Sequence, residues 1–124
     1  MQLNSKKSIL FIGPRLHTNY IGPINSLIKN NYKVHFLAKT KNFGENHSKI
    51  KPIILKESIF SKIRKYMLGN IGSNNVQYFP NIYKFISYIK KIKPNYAIIR
   101  LHGRLFTYFS AAILKIFNCK VIFY

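Results

Sequence analysis

The chain has 124 residues, enough for one domain spanning 1–124 and too few for two of ordinary size. Apolar residues make up 48% and aromatics 15%, which excludes a disordered tail, because disorder needs low hydrophobicity as well as high charge. Charge is lopsided: 21 Lys and Arg face only Glu45 and Glu57, for a net charge of +19, so a metal site or a paired-carboxylate hydrolase is nearly excluded and no cofactor is expected.

Residues 1–8 are polar and basic and run into only a short apolar stretch, Ile9-Leu10-Phe11-Ile12, too brief for the core of a signal peptide. Ended by Gly13-Pro14, that run reads as a strand buried on both faces. Gly22-Pro23 then precedes Ile24, Leu27 and Ile28 at helical spacing, with Pro23 suited to a first helical position. Asn30-Asn31 can close this helix in a left-handed conformation. A second strand is predicted at 33–38, which makes a parallel pair with a right-handed crossover. A third follows at 53–55, started by Pro52.

Residues 58–68 read as a helix with Ile59, Ile63 and Met67 on one stripe and Lys62 and Lys65 outside it, followed by a Gly/Asn/Ser loop at 69–77. Another helix is predicted at 80–93, with Ile82, Phe85, Ile86, Ile89 and Ile92 inward, Lys84 and Lys91 outward, and Pro94 as its stop. A fourth strand at 96–99, an almost wholly apolar helix at 105–117 and a fifth strand at 120–124 complete the chain. The 105–117 stretch is shorter than the roughly 18 residues a membrane crossing needs. A lone cysteine, Cys119, excludes an internal disulfide and agrees with a reducing, cytoplasmic setting, and as a small buried apolar residue it needs no chemical role.

Strands alternating with helices predict an α/β, Rossmann-like, doubly wound parallel sheet of five strands in the order 3-2-1-4-5. Ligands of such sheets bind beyond the carboxyl ends of the strands where the order reverses, here between the first and the fourth. The loops 13–22 and 102–104 are therefore expected to meet in space. Gly13 and Gly22 frame the first, where a glycine turn running into a helix N-terminus can cradle phosphate, although any strand-to-helix turn favours glycine. Arg15, His17, Asn19, Arg100, His102 and Arg104 are the polar side chains in or beside that crevice, a set suited to an anion. His17 reads equally well as a solvated loop residue, and His35, between Val34 and Phe36, as structural.

The fifth strand stops at Tyr124 while still apolar, and a bare hydrophobic edge is an aggregation hazard, so the natural chain is expected to continue; the alternative is a small domain dimerising along that edge.

Two series of residues carry a resemblance. Ser8-Ile-Leu-Phe-Ile-Gly-Pro, then Ile21-Gly22, then Leu27-Ile28-Lys29-Asn30-Asn31-Tyr32-Lys33-Val34-His35-Phe36-Leu37, resembles the opening of family 4-type glycosyltransferases of the two-domain GT-B fold. The series from Ile89-Lys90-Lys91-Ile92-Lys93-Pro94-Asn95-Tyr96 to Ile99-Arg100-Leu101-His102-Gly103 is similar to that family's helix, Lys-Pro-Asp turn, strand and His-containing loop, and 119–124 to the strand that follows. The chain departs from the pattern in having Gly13 without a paired glycine, Asn31 in place of Gly, and Asn95 in place of Asp. The likeness covers 8–124 and only the family's N-terminal, acceptor-side half.

It implies transfer of a sugar from a nucleotide-sugar donor, held mainly by an absent C-terminal domain, to a lipid-linked or polysaccharide acceptor in cell-surface glycan synthesis. The family's catalytic histidine and donor-binding glutamates would follow Tyr124, so no catalytic residue is assigned here and the fragment alone is expected to be inactive.

Residues 56–93 interleave Phe60, Tyr66, Tyr83 and Tyr88 with Lys62, Arg64, Lys65, Lys84, Lys90 and Lys91. Cations and aromatics together suit an anionic lipid surface, each nearby cation adding about 1 kcal/mol, which would place the protein peripherally on the inner face of the plasma membrane with Lys62, Arg64, Lys65, Lys84 and Lys91 toward lipid. An ordinary solvated helix face is the alternative. Two competing readings of the whole chain are a small basic nucleic-acid-binding domain, although no zinc knuckle, RNP-like aromatic motif or helix-turn-helix spacing is present, and a noncatalytic docking subunit of a split glycosyltransferase. No specific nucleic-acid partner is expected.

Overall fold

The structure, a computed structural model, describes residues 6–40, 50–68, 79–100 and 105–124. Five strands form one all-parallel sheet: β1 (Ser8–Gly13), β2 (Lys33–Ala38), β3 (Ile53–Ile54), β4 (Tyr96–Ile99) and β5 (Lys120–Phe123), in the order β3-β2-β1-β4-β5. The expected strand order and fold class are those observed. The helices are α1 (Thr18–Lys29), α2 (Ile59–Leu68), α3 (Ile82–Ile92) and α4 (Leu105–Ile116).

Alternation along the strands divides the core in two. Leu10 and Ile12 of β1, Leu37 of β2, and Ala97 and Ile99 of β4 pack with Phe85 and Ile89 of α3 and Ala111, Ile113 and Leu114 of α4. Ile9 and Phe11 of β1 and Phe36 and Ala38 of β2 instead meet Leu16, Tyr20 and Ile24 from the α1 side. Both faces of β1 and β2 are thus covered, which is why these strands read as continuous apolar runs. Each such side chain, fully buried, contributes about 1.5–3 kcal/mol. Cys119 lies in the first core, where burial pushes its thiol up to about 11, so it is a packed, protonated group.

Asparagines close two helices. Asn31 (φ 66°) and Asn118 (φ 57°) are left-handed, and the amides of Tyr32 and Cys119 reach back to the carbonyls of Leu27 and Leu114, while those of Asn31 and Asn118 bond Ile28 and Lys115. These are Schellman closures with Asn in the usual place of Gly. At the other end, Asn81 caps α3 by accepting from the Lys84 amide at 3.1 Å, and the Ser58 hydroxyl accepts from the Ser61 amide at 3.2 Å at the start of α2.

Several expectations need correction. α1 begins at Thr18, not at Pro23, so the connection after β1 is shorter than 13–22 and Gly22 lies within the helix. Pro23 is the sixth helical residue, and a residue before proline normally leaves the helical region because its Cβ clashes with the proline ring. Gly22 has no Cβ, and the space where one would stand is open, so it admits the proline without a break. β3 is only two residues long.

In α2 the apolar stripe of Ile59, Ile63 and Met67 is not packed: the three are 74%, 50% and 77% exposed. Of the described side chains of α2, only Ser61 is buried, where its hydroxyl accepts from the Phe79 amide. The stripe exists, but no described element lies over it. Ile82 of α3 is likewise exposed, while Phe85 and Ile89 carry that helix's packing. The loop expected at 69–77 lies outside the described residues.

Candidate functional site

The cleft at the carboxyl edge of the sheet is built from segments far apart in sequence. After β1, Pro14 turns the chain, its carbonyl accepting from the amides of Lys39 and Thr40 that follow β2, and Leu16 is anchored in the core. Arg15 and His17, flanking that anchor, line the cleft. From β4, the Arg100 amide donates to the Ile12 carbonyl at 3.3 Å, which continues the ladder one residue past the strand and sets Arg100 beside β1. Tyr124 is held in the same way by donating its amide to Ile99 at 3.2 Å.

The cleft is about 800 Å³, within the range of small-molecule sites. Its cationic and hydrogen-bonding rim comes from Arg15, His17, Asn19 and Arg100, and its floor from Phe11 and Ile98, which project from β1 and β4 on the α1 side of the sheet. Among the described residues, no carboxylate lines it. The crevice predicted at the reversal of strand order therefore gathers Arg15, His17, Asn19 and Arg100. His102 and Arg104 lie outside the described residues. Gly13 and Gly22 do not line the cleft. Gly13 serves the packing beneath it: a Cβ there would stand 3.1 Å from the Tyr20 hydroxyl oxygen and 3.3 Å from Phe36 Cζ.

Two tyrosines escaped the sequence reading. Tyr20 is buried against Phe11 and Phe36 in edge-to-face contacts with centroids 6.0 and 5.0 Å apart, and meets Tyr124 at 6.1 Å. The Tyr124 hydroxyl donates to that of Tyr20, tying the end of β5 to α1 across the cleft. Tyr124 is half exposed as a residue, but its hydroxyl turns inward. Burial there, and then the Tyr20 bond, hold it well above the usual tyrosine range, against the opposing pull of Arg100, so it stays a neutral donor. A signal for Tyr20 was available, since Leu16, Tyr20 and Ile24 are spaced four apart and extend the helical stripe back beyond Pro23.

Backbone chemistry adds to the rim. α1 opens at His17, whose side chain does not cap it and instead meets the Thr18 hydroxyl at 3.1 Å, and its first turn contains no acid. The N-terminus of α1, with the positive end of the helix dipole, thus borders the cleft at His17 and Asn19. Pro23 lacks an N–H, which deprives the Asn19 carbonyl of its helical donor and leaves an acceptor at the same rim. The arrangement can bind an anion through guanidinium and amide groups while a hydroxyl-bearing group meets Asn19 and the tyrosine pair.

Among the described residues, no group of three His, Cys, Asp or Glu could hold a metal ion, and no helix is long and apolar enough to cross a membrane. Fold and cleft define the class: a Rossmann-like α/β domain with a cationic crevice at its topological switch point. Compared with known proteins, the chain matches no family model, no curated protein and no solved structure.

Proposed function

We propose that this chain is the acceptor-side domain of a GT-B glycosyltransferase that moves a sugar from a nucleotide-sugar to a lipid-linked or polysaccharide acceptor. The observation that carries the reading is that Arg15, His17, Asn19 and Arg100 line one cleft beside the start of α1 at the switch point of the sheet. In such a transfer the bond between the anomeric carbon and a phosphate oxygen breaks, the acceptor hydroxyl oxygen bonds to that carbon and gives up its proton to the departing phosphate or to water, and negative charge grows on the departing nucleoside diphosphate. Arg15, Arg100 and the first amides of α1 suit the uptake of charge on a phosphate of donor or acceptor. Asn19 and the Tyr20–Tyr124 pair suit the orientation of acceptor hydroxyls. By the resemblance, the donor's nucleotide is held mainly by a second domain.

A lipid-linked acceptor has to be met at a membrane, and α2 supports that part of the reading. It exposes Ile59, Phe60, Ile63, Tyr66 and Met67 beside Lys62 and Arg64, with no acid on the helix, and Lys65 belongs to the same segment. Lys84 and Lys91 are exposed on α3. This surface supports, as part of the proposal, a peripheral position on an anionic inner leaflet.

The test joins this chain to its donor domain and measures transfer of a labelled sugar from nucleotide-sugar to a lipid-phosphate acceptor. Arg100→Ala is expected to lower kcat/KM about 100-fold, the size of effect that removing one charge-stabilising donor has. Unchanged turnover in that variant, or a coding sequence with no donor domain in the same or a partner gene, overturns the proposal. Tight binding of duplex DNA or RNA at physiological salt, without binding to anionic vesicles, would favour the nucleic-acid reading that the net charge of +19 otherwise invites.

A further inference from the structure

A second concavity, of about 690 Å³, lies at the amino ends of the strands, across the sheet from the cleft. Four lysines reach it from different places in the chain: Lys7 from just before β1, Lys90 from the last turn of α3, Lys93 from the turn after it, and Lys120 from the first position of β5. Among the described residues no carboxylate lines it, and Glu57, the acidic residue among them, lies beyond the other end of the strands, after β3. Tyr96 and Phe117 stand in its wall, so it pairs ammonium groups with aromatic surface.

The frame that holds these groups is fixed by Asn95. Its side-chain oxygen accepts from the Ser8 amide at 2.7 Å, its own amide donates to the Ser8 carbonyl at 2.8 Å, and its carbonyl accepts from the Lys120 amide at 3.0 Å. The starts of β1, β4 and β5 are thereby locked together, and Lys7 and Lys120 hang from that lock.

Lys90, in the last turn of α3, also suits the negative end of that helix, but Lys7 and Lys120 lie on no helix. The carbonyls of Ile113, Leu114 and Lys115 at the end of α4 already accept from backbone amides. Lys93 occupies a left-handed position (φ 46°) that glycine or asparagine would fill at lower cost. Gathering like charges at one cavity is unfavourable until a counter-ion occupies it.

We propose that this pocket binds an organic phosphate with two or more phosphoryl charges, the phosphates on the lysines and a planar or apolar body against Tyr96 and Phe117. The site is separate from the carboxyl-edge cleft and does not depend on how that cleft is read. Multivalent phosphate suits a concavity lined by four lysines, and the aromatic wall distinguishes an organic ligand from a bare ion.

Calorimetric titration of the whole chain with adenosine diphosphate, and separately with pyrophosphate, at physiological salt tests it. The expected result is saturable binding of the nucleotide that is tighter than that of pyrophosphate. Lys90→Ala with Lys120→Ala should weaken it about tenfold, while Lys62→Ala with Lys84→Ala, an equal change in net charge elsewhere, should weaken it less than about twofold. Lys93→Gly removes a cation while relaxing the backbone, so it should lower affinity with Tm unchanged or higher. In an Arg100→Ala background, which removes a cation of the carboxyl-edge cleft, the Lys90→Ala with Lys120→Ala pair should still weaken binding about tenfold. Equal losses for the two lysine pairs, no loss from the Lys90 and Lys120 pair in that background, an affinity for pyrophosphate equal to that for the nucleotide, or no saturable binding would each overturn the proposal.

Discussion

A methyl group added at Gly13 would press on the Tyr20 hydroxyl and the tip of the Phe36 ring, both held in an aromatic cluster with Phe11. Gly13→Ala should therefore cost about 1–3 kcal/mol in chemical denaturation, the usual range for overpacking, and should disturb the near-ultraviolet signal of the tyrosine pair. His35 permits a prediction of a different kind. Its Nε2 is buried with no hydrogen-bond partner among the described residues, and burial, with the charge of Lys33, holds its pKa below the usual imidazole value. As pH falls the unfolded imidazole takes up its proton before the folded one, so this contribution to stability is complete above the unfolded pKa and is lost as pH drops through the folded one. Tm should decline as pH falls through the ordinary imidazole range and below it, and His35→Gln should flatten that decline. An equal decline in the variant would place the acid sensitivity elsewhere.

α2 shows what helical periodicity can and cannot say about an element. Its stripe of Ile59, Ile63 and Met67 was legible from spacing, yet spacing identifies a face and not the thing that covers it. In α3 the same kind of pattern is buried at Phe85 and Ile89, because that helix lies on β1 and β4. Phe60 and Tyr66, 83% and 92% exposed, contribute little to folding, so replacing both by Ser should leave Tm unchanged. If α2 meets lipid, the same double substitution should reduce co-sedimentation with anionic vesicles about tenfold, while neutral vesicles bind neither form. Undiminished binding would remove α2 from the membrane surface. The start of α1 was misjudged for a related reason: Gly22-Pro23 is a frequent helix boundary, but Gly22 lacks the Cβ that makes it one.

Across the whole molecule, a net charge of +19 on 124 residues makes self-repulsion a general cost of compactness. Raising ionic strength from about 0.01 M to about 0.15 M shortens the screening length from roughly 30 Å to roughly 8 Å. Tm should rise across that range, and a flat response would mean that local pairing has already neutralised the excess. What the sequence determined by itself was the ladder of strands and helices, their order in the sheet, and hence the place where Arg15, His17, Asn19 and Arg100 would meet: parallel connection and right-handed crossover leave few arrangements once the apolar runs are marked. Only the tertiary structure decided which apolar faces are covered, that Tyr20 and Tyr124 join across the cleft, and that Lys7, Lys90, Lys93 and Lys120 line one concavity at the opposite edge. Periodicity is a local property of a segment, whereas burial, pairing and convergence depend on which distant segments fold over it.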